Sequence, residues 1–177
     1  VFVGNRGKTG GAIGTEGTLE VRNCHLEDNE ASDEGGAVSR LVSVERSTLV
    51  RNRAMNQGGA VPMVSGFFRR NLCIENESDR GGCLVFPNSA TGNVVQGNSI
   101  FDNEAASGLG NNAYVNPDQC FDITLENTFF GVGDPGAQSG CTQPDHNFVL
   151  SNNATEAWPL CVDNDEAPDC VGASISP

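Results

Sequence analysis

The chain has 177 residues, with 10 Lys plus Arg against 23 Asp plus Glu and a net charge of −13. That balance argues against a nucleic-acid or anionic-membrane partner, since both need a clustered basic footprint. The length fits one domain, and no apolar run reaches the roughly 18 residues of a membrane-crossing helix.

In chain order, two short motifs alternate roughly every 23 residues. One ends in asparagine: Phe2–Asn5 (FVGN), Leu26–Asn29 (LEDN), Leu49–Asn52 (LVRN), Cys73–Asn76 (CIEN) and Ile100–Asn103 (IFDN). The other is a glycine pair with small and apolar residues behind it: Gly10–Ile13 (GGAI), Gly35–Val38 (GGAV), Gly58–Val61 (GGAV) and Gly81–Leu84 (GGCL). Two motifs in one phase mark a unit that buries its apolar face by stacking on neighbours.

Counting back from each Asn gives an apolar column of Val21, Val44, Phe68 and Val95 and a second of Leu26, Leu49, Cys73 and Ile100. Arg22, Glu45, Arg69 and Gln96 form a polar column beside the first. The change from apolar to polar between adjacent residues is that of a strand. Glycine pairs in every repeat, and the lack of a 3.6-residue apolar stripe, exclude helix. The expected architecture is all-β, a parallel β-helix with coils roughly 4.8 Å apart and a rod roughly 30 Å long. Ala12, Ala37, Ala60 and Cys83 suit a tight inward corner, and the Asn column suits a turn where amides bond along the stack.

The GGA-plus-aliphatic and FxxN motifs resemble the repeats of polymorphic outer-membrane (autotransporter-passenger) proteins, from Phe2 to about Asn103. The resemblance implies a right-handed parallel β-helix at a cell surface and no particular receptor or activity. Only Phe2 keeps the aromatic of FxxN, and Cys83 replaces an Ala.

Past Asn103 the phase loosens. Gly110–Val115 (GNNAYV) reads as a fifth glycine motif. Phe121–Gly133 reads as one more strand pair, with Ile123, Leu125 and Phe130 inward. Phe148–Asn152 (FVLSN) echoes the FxxN motif and reads as a final, irregular coil. Residues 1–133 are read as β-helix coils and residues 134–177 as a loop-rich segment packed on the last coil or a flank, with Trp158 covering apolar core.

Seven cysteines suggest an oxidising compartment and a secreted or surface location. Cys161 with Cys170, and Cys120 with Cys141, are the expected disulfides, while Cys73 and Cys83 read as small buried apolar residues. The odd count leaves one thiol free or bonded to another chain. Asn76 and Asn153 lie in glycosylation sequons, that of Asn76 incidental to its column.

Candidate chemistry is sparse. Glu27, Asp28, Glu75 and Asp102 fall at the turn before or beside the Asn column, but Val50 and Arg51 interrupt the acids. His25 and His146 lie in no triad setting. Asp163, Asp165, Glu166 and Asp169 offer the hard oxygens that calcium takes, without an EF-hand spacing; calcium is the one candidate cofactor. The chain starts within a coil, which reads as a processed protein or part of a longer one, so Phe2, Val3 and Ile13 are expected to contact further coils or a second copy. The sequence therefore points to a non-catalytic extracellular module, structural or adhesive, with a cell-surface glycan or protein among its candidate partners. A polysaccharide lyase or hydrolase on the same fold is the alternative.

Overall fold

A computed structural model describes residues 1–14, 17, 19–39, 42–63, 65–86 and 92–115, and beyond them 123–126, 128–130, 137–138, 148–151 and 154–155. Among the described residues every element is a β-strand, every pairing is parallel, and the strands fall into sheets of seven, six, five and four strands, each stacked along the coil axis. The molecule is a parallel β-helix. Its recurring strand set is seen at Leu19–Arg22, His25–Glu27 and Glu30–Ala31, which belong to the six-, seven- and five-stranded sheets.

The register is that of the sequence columns. Val21 pairs with Val44, Val44 with Phe68 and Phe68 with Val95. Phe2 pairs with Leu26, and Leu26, Leu49, Cys73 and Ile100 follow in one line. Apart from the half-exposed Phe2, these side chains are buried and form one core with Ala37, Ala60, Cys83, Leu84 and Phe86. Each buried apolar side chain of this size stabilises the fold by about 1.5–3 kcal/mol relative to leaving it in water.

Left-handed backbone closes the corners. Between the six- and seven-stranded sheets stand Asn23, Arg46 and Arg70, with φ of 52°, 50° and 54°. Between the seven- and five-stranded sheets stand Asp28, Arg51, Glu75 and Asp102, with φ of 50–55°. Positive φ in non-glycine residues is uncommon and costs free energy, so the stacked hydrogen bonds beside each corner must hold it. The third corner is the glycine pair. Gly35 has φ +67°, and a Cβ on Gly36 would lie 2.1 Å from the Gly59 carbonyl oxygen. The first glycine turns the chain and the second lets adjacent coils touch backbone to backbone, which explains why the motif needs both.

Two polar ladders run inside the corners. In the first, Nδ2 of Asn5, Asn29, Asn52 and Asn76 each donates to Oδ1 of the next Asn, at 2.8–2.9 Å. The same Oδ1 atoms accept the backbone N–H of the Asn one coil earlier. Asn103 ends the line by donating to Asn112 Oδ1. The second ladder lies at the other corner: Cys24 N–H donates to Ser47 Oγ, Ser47 N–H to Asn71 Oδ1 and Asn71 N–H to Asn98 Oδ1. Its signal was present in the sequence, because Cys24, Ser47, Asn71 and Asn98 each stand five places before a ladder Asn.

Cys73 and Cys83 differ from their reading as simple apolar residues. Both are fully buried, as their columns require, and they are bonded to each other. The inward strand position and the glycine corner of one coil face each other across the core, 6.2 Å apart at Cα. That separation suits a disulfide, and linear spacing alone does not reveal a contact through the interior of a coil.

Strand pairing continues past the fading of the repeat. Gly110 has φ +67°, as a glycine-motif leader does, and Ala113 pairs with Leu84. Leu125 aligns with Val95 and Phe130 with Ile100. Strands Ala137–Gln138, Phe148–Ser151 and Ala154–Thr155 extend three sheets beyond residue 133. Phe148–Ser151 pairs with Ile123–Glu126 in the six-stranded sheet, with Leu150 opposite Leu125. It therefore belongs to the Val21 strand of a coil, not to the FxxN strand its spelling suggests.

Candidate functional site

Three of the four turn acids, Glu27, Asp28 and Glu75, come together around Arg51, while Asp102 stands one coil beyond Glu75. The seven-stranded sheet sets Glu27, Val50, Ile74 and Phe101 in one outward column, and the corner residue after each is Asp28, Arg51, Glu75 and Asp102. Arg51, which reads in sequence as a break in the acid column, is its centre. Its guanidinium bonds Glu27 and Asp28, the latter at 2.9 Å, and lies 3.7 Å from Glu75. His25 Nε2 stands 2.8 Å from Glu27 Oε2.

The His25 hydrogen bond, with Arg51 second, holds the Glu27 carboxyl below its ordinary range, and Asp28 and Glu27 push the Arg51 guanidinium up. Glu27 is thus driven toward its ionised form, the opposite of the shift a general acid needs. The arrangement neutralises like-charged turns that stacking brings close.

A second alternating column was missed in the sequence. Arg6 pairs with Glu30, Glu30 with Arg53 and Arg53 with Glu77 on the five-stranded sheet. Arg6 lies 3.2 Å from Glu30 and Arg53 3.3 Å from Glu77. Each stands one place after a ladder Asn, so the periodicity was there to be read. The Arg22–Glu45–Arg69–Gln96 column keeps its register, with Arg22 3.5 Å from Glu45.

Phe2 and Val3 are exposed and Ile13 is half-buried. An open depression of about 650 Å³ lies beside them, lined by Phe2, Ala12, Ile13, Leu19, Val21 and Cys24 among others. Cys24 is a free, half-buried thiol. Ile13 bridges Val38 below it, and Asn5 Oδ1 accepts no bond among the described residues.

Asn76 is 1% exposed and its amide is spent on the ladder, so its sequon is closed in the folded protein. Among the described residues no group of His, Cys, Asp and Glu could hold a metal ion. The calcium candidates Asp163, Asp165, Glu166 and Asp169, the expected pairs Cys161–Cys170 and Cys120–Cys141, and His146, Asn153 and Trp158 lie outside the described residues. No protein-family model, curated protein or solved structure matches the chain.

Proposed function

We propose that this chain is a non-catalytic extracellular or cell-surface β-helix module, structural or adhesive, whose N-terminal face seats another β-helix coil. The carrying observation is the character of that face. Phe2 stacks on Leu26 below and is 36% exposed, Val3 is 53% exposed, and the apolar depression beside them continues the core columns into water. Asn5 offers the acceptor that a ladder Asn of a further coil would fill. The occupant is a coil of a second copy, giving a head-to-tail fibre, or a coil of a longer parent chain.

The Cys73–Cys83 bond supports an oxidising compartment. Against an enzyme reading stands the ion-paired state of the turn carboxylates around Arg51.

Sedimentation of the purified protein over a range of concentrations tests the assembly reading. Concentration-dependent association, weakened by Phe2→Asp, is the expected result. A monomer at every concentration, with Phe2 in water and no further coil, refutes it. Incubation with pectin, alginate and related polyuronates, with and without calcium, tests the catalytic question. No turnover is expected, and turnover abolished by Glu75→Gln or Asp102→Asn would establish the enzyme reading instead.

A further inference from the structure

Asn76, Glu77 and Ser78 spell a glycosylation sequon, and all three lie inside the loop that the Cys73–Cys83 bond closes. No other ladder asparagine stands in one. Two places after Asn5, Asn29, Asn52 and Asn103 come Gly7, Ala31, Ala54 and Ala105. These residues and Ser78 share one line of the five-stranded sheet, in which Ala31, Ala54, Ser78 and Ala105 are buried. The line therefore asks for a small residue and not for a hydroxyl. The Ser78 hydroxyl fills no empty acceptor either. It bonds the Arg80 and Gly81 carbonyls at 2.8 and 3.1 Å, and those carbonyls already accept the Gly58 and Gly59 N–H groups. Stacking accounts for Asn76 but not for Ser78.

The folded coil leaves no room for a glycan at Asn76. Its Nδ2 donates to Asn103 Oδ1 at 2.9 Å and to the Leu49 carbonyl at 3.0 Å, between coils and out of reach of solvent. An N-glycosidic bond would replace one of those two amide hydrogens and force a bulky polar group between the coils. Glycan and stack are therefore alternatives at this residue. The disulfide tips the choice. It restricts the unfolded chain and so favours the folded one, and Cys83 follows Ser78 by only five places, so the bond can close as soon as the sequon has been made.

We propose that Asn76 is an N-glycan acceptor only in the unfolded, reduced chain, and that glycosylation there and closure of the coil by the Cys73–Cys83 bond exclude each other. The glycan donor is a lipid-diphosphate-linked oligosaccharide. Asn76 Nδ2 bonds to the sugar C1, the bond from C1 to the lipid diphosphate breaks, and the amide proton passes to the transferring enzyme. In the competing reaction the Cys73 and Cys83 thiols pass two electrons and two protons to a disulfide oxidant, which leaves as its dithiol. A chain that closes the bond first hides the sequon and completes the ladder. A chain that does not is marked with a sugar and cannot complete it. The inference rests on the extracellular reading above for the compartment in which both reactions meet the chain, and it does not depend on self-assembly.

A purified oligosaccharyltransferase with its lipid-linked donor tests this on the full chain, offered once as the native oxidised protein and once reduced with its thiols alkylated. The mass of the tryptic peptide between Arg70 and Arg80 reads occupancy of Asn76. No glycan is expected on the native protein, and full-length alkylated chain should carry one. Ser78→Ala should abolish that occupancy and, because alanine holds this place in the neighbouring coils, should keep the native melt. A reduced chain glycosylated at Asn76 and then reoxidised should lack the cooperative melt that the unmodified chain regains. A glycan on the native protein, none on the alkylated chain, or a native melt regained with the glycan in place overturns the proposal. A Ser78→Ala chain that no longer folds assigns the serine to the fold and overturns it as well. None of these results alters the sedimentation outcome, so the two readings fail separately.

Discussion

Arg51 and Asn52 are neighbours in the chain and meet opposite worlds. Arg51 stands outside the corner, half in water, among Glu27, Asp28 and Glu75. Asn52 is fully buried one residue later, and every polar atom of its amide is used: Oδ1 by Asn29, Nδ2 by Asn76 and the Leu26 carbonyl. Both belong to ladders of the same period. The exposed ladder competes with water for every bond, so its pairs contribute under about 1 kcal/mol each. The buried ladder has no such competitor, and breaking one rung strands its neighbours. Repetition alone therefore does not stabilise a solenoid; repetition out of reach of water does.

The comparison can be tested in order of expected effect. Val44→Asp places an unpaired carboxylate in the core and should cost roughly 4 kcal/mol or more, whereas Ser43→Asp, one residue away on the outer face, should cost under about 1 kcal/mol in denaturant melts. Asn52→Ala leaves the Asn29 N–H and amide without their acceptor and should cost about 3 kcal/mol; Asn5→Ala, at the exposed end of the same ladder, should cost under about 1 kcal/mol. Equal losses at the two positions would refute the contrast. Arg51→Ala should cost under about 1 kcal/mol, and high salt should shrink even that.

The smallest effect is set by pH. Glu27 is held below its ordinary value of 4.5 by His25 and Arg51. Its contribution is fully present above that value and is lost as pH falls through the lowered folded value. Thermal melts of the protein and of Glu27→Gln should differ most near neutrality and converge in acid.

Much of this was legible in the sequence. The columns of Val21 and Leu26, the Asn line and the glycine pair were all in phase, and phase is what stacking reads. The second ladder escaped notice because its rungs are chemically mixed: Cys24, Ser47, Asn71 and Asn98 share a position and a task but not a side chain. Arg51 reads as an interruption when the column is taken as acids alone, but a cation stacked between Asp28 and Glu75 pairs with both and reaches Glu27 in the neighbouring line. The Cys73–Cys83 bond depends on which walls face each other across a coil, a distance that no period encodes. FVLSN at Phe148 marks a further coil, as its echo of the motif implies, but its spelling fits one strand of the coil and its register fits another.

That same bond has a mechanical meaning. A rod of stacked coils pulled from its ends peels turn by turn, each turn giving up its full length of chain. The Cys73–Cys83 link closes ten residues of sequence separation into a span of 6.2 Å. Under load that coil cannot pay out its hidden segment, so the oxidised protein should extend by about 30 Å less than the reduced one. In a single-molecule trace this shortfall belongs to one peeling step and not to the others, which makes the coil holding Cys73 and Cys83 a length marker within the stack.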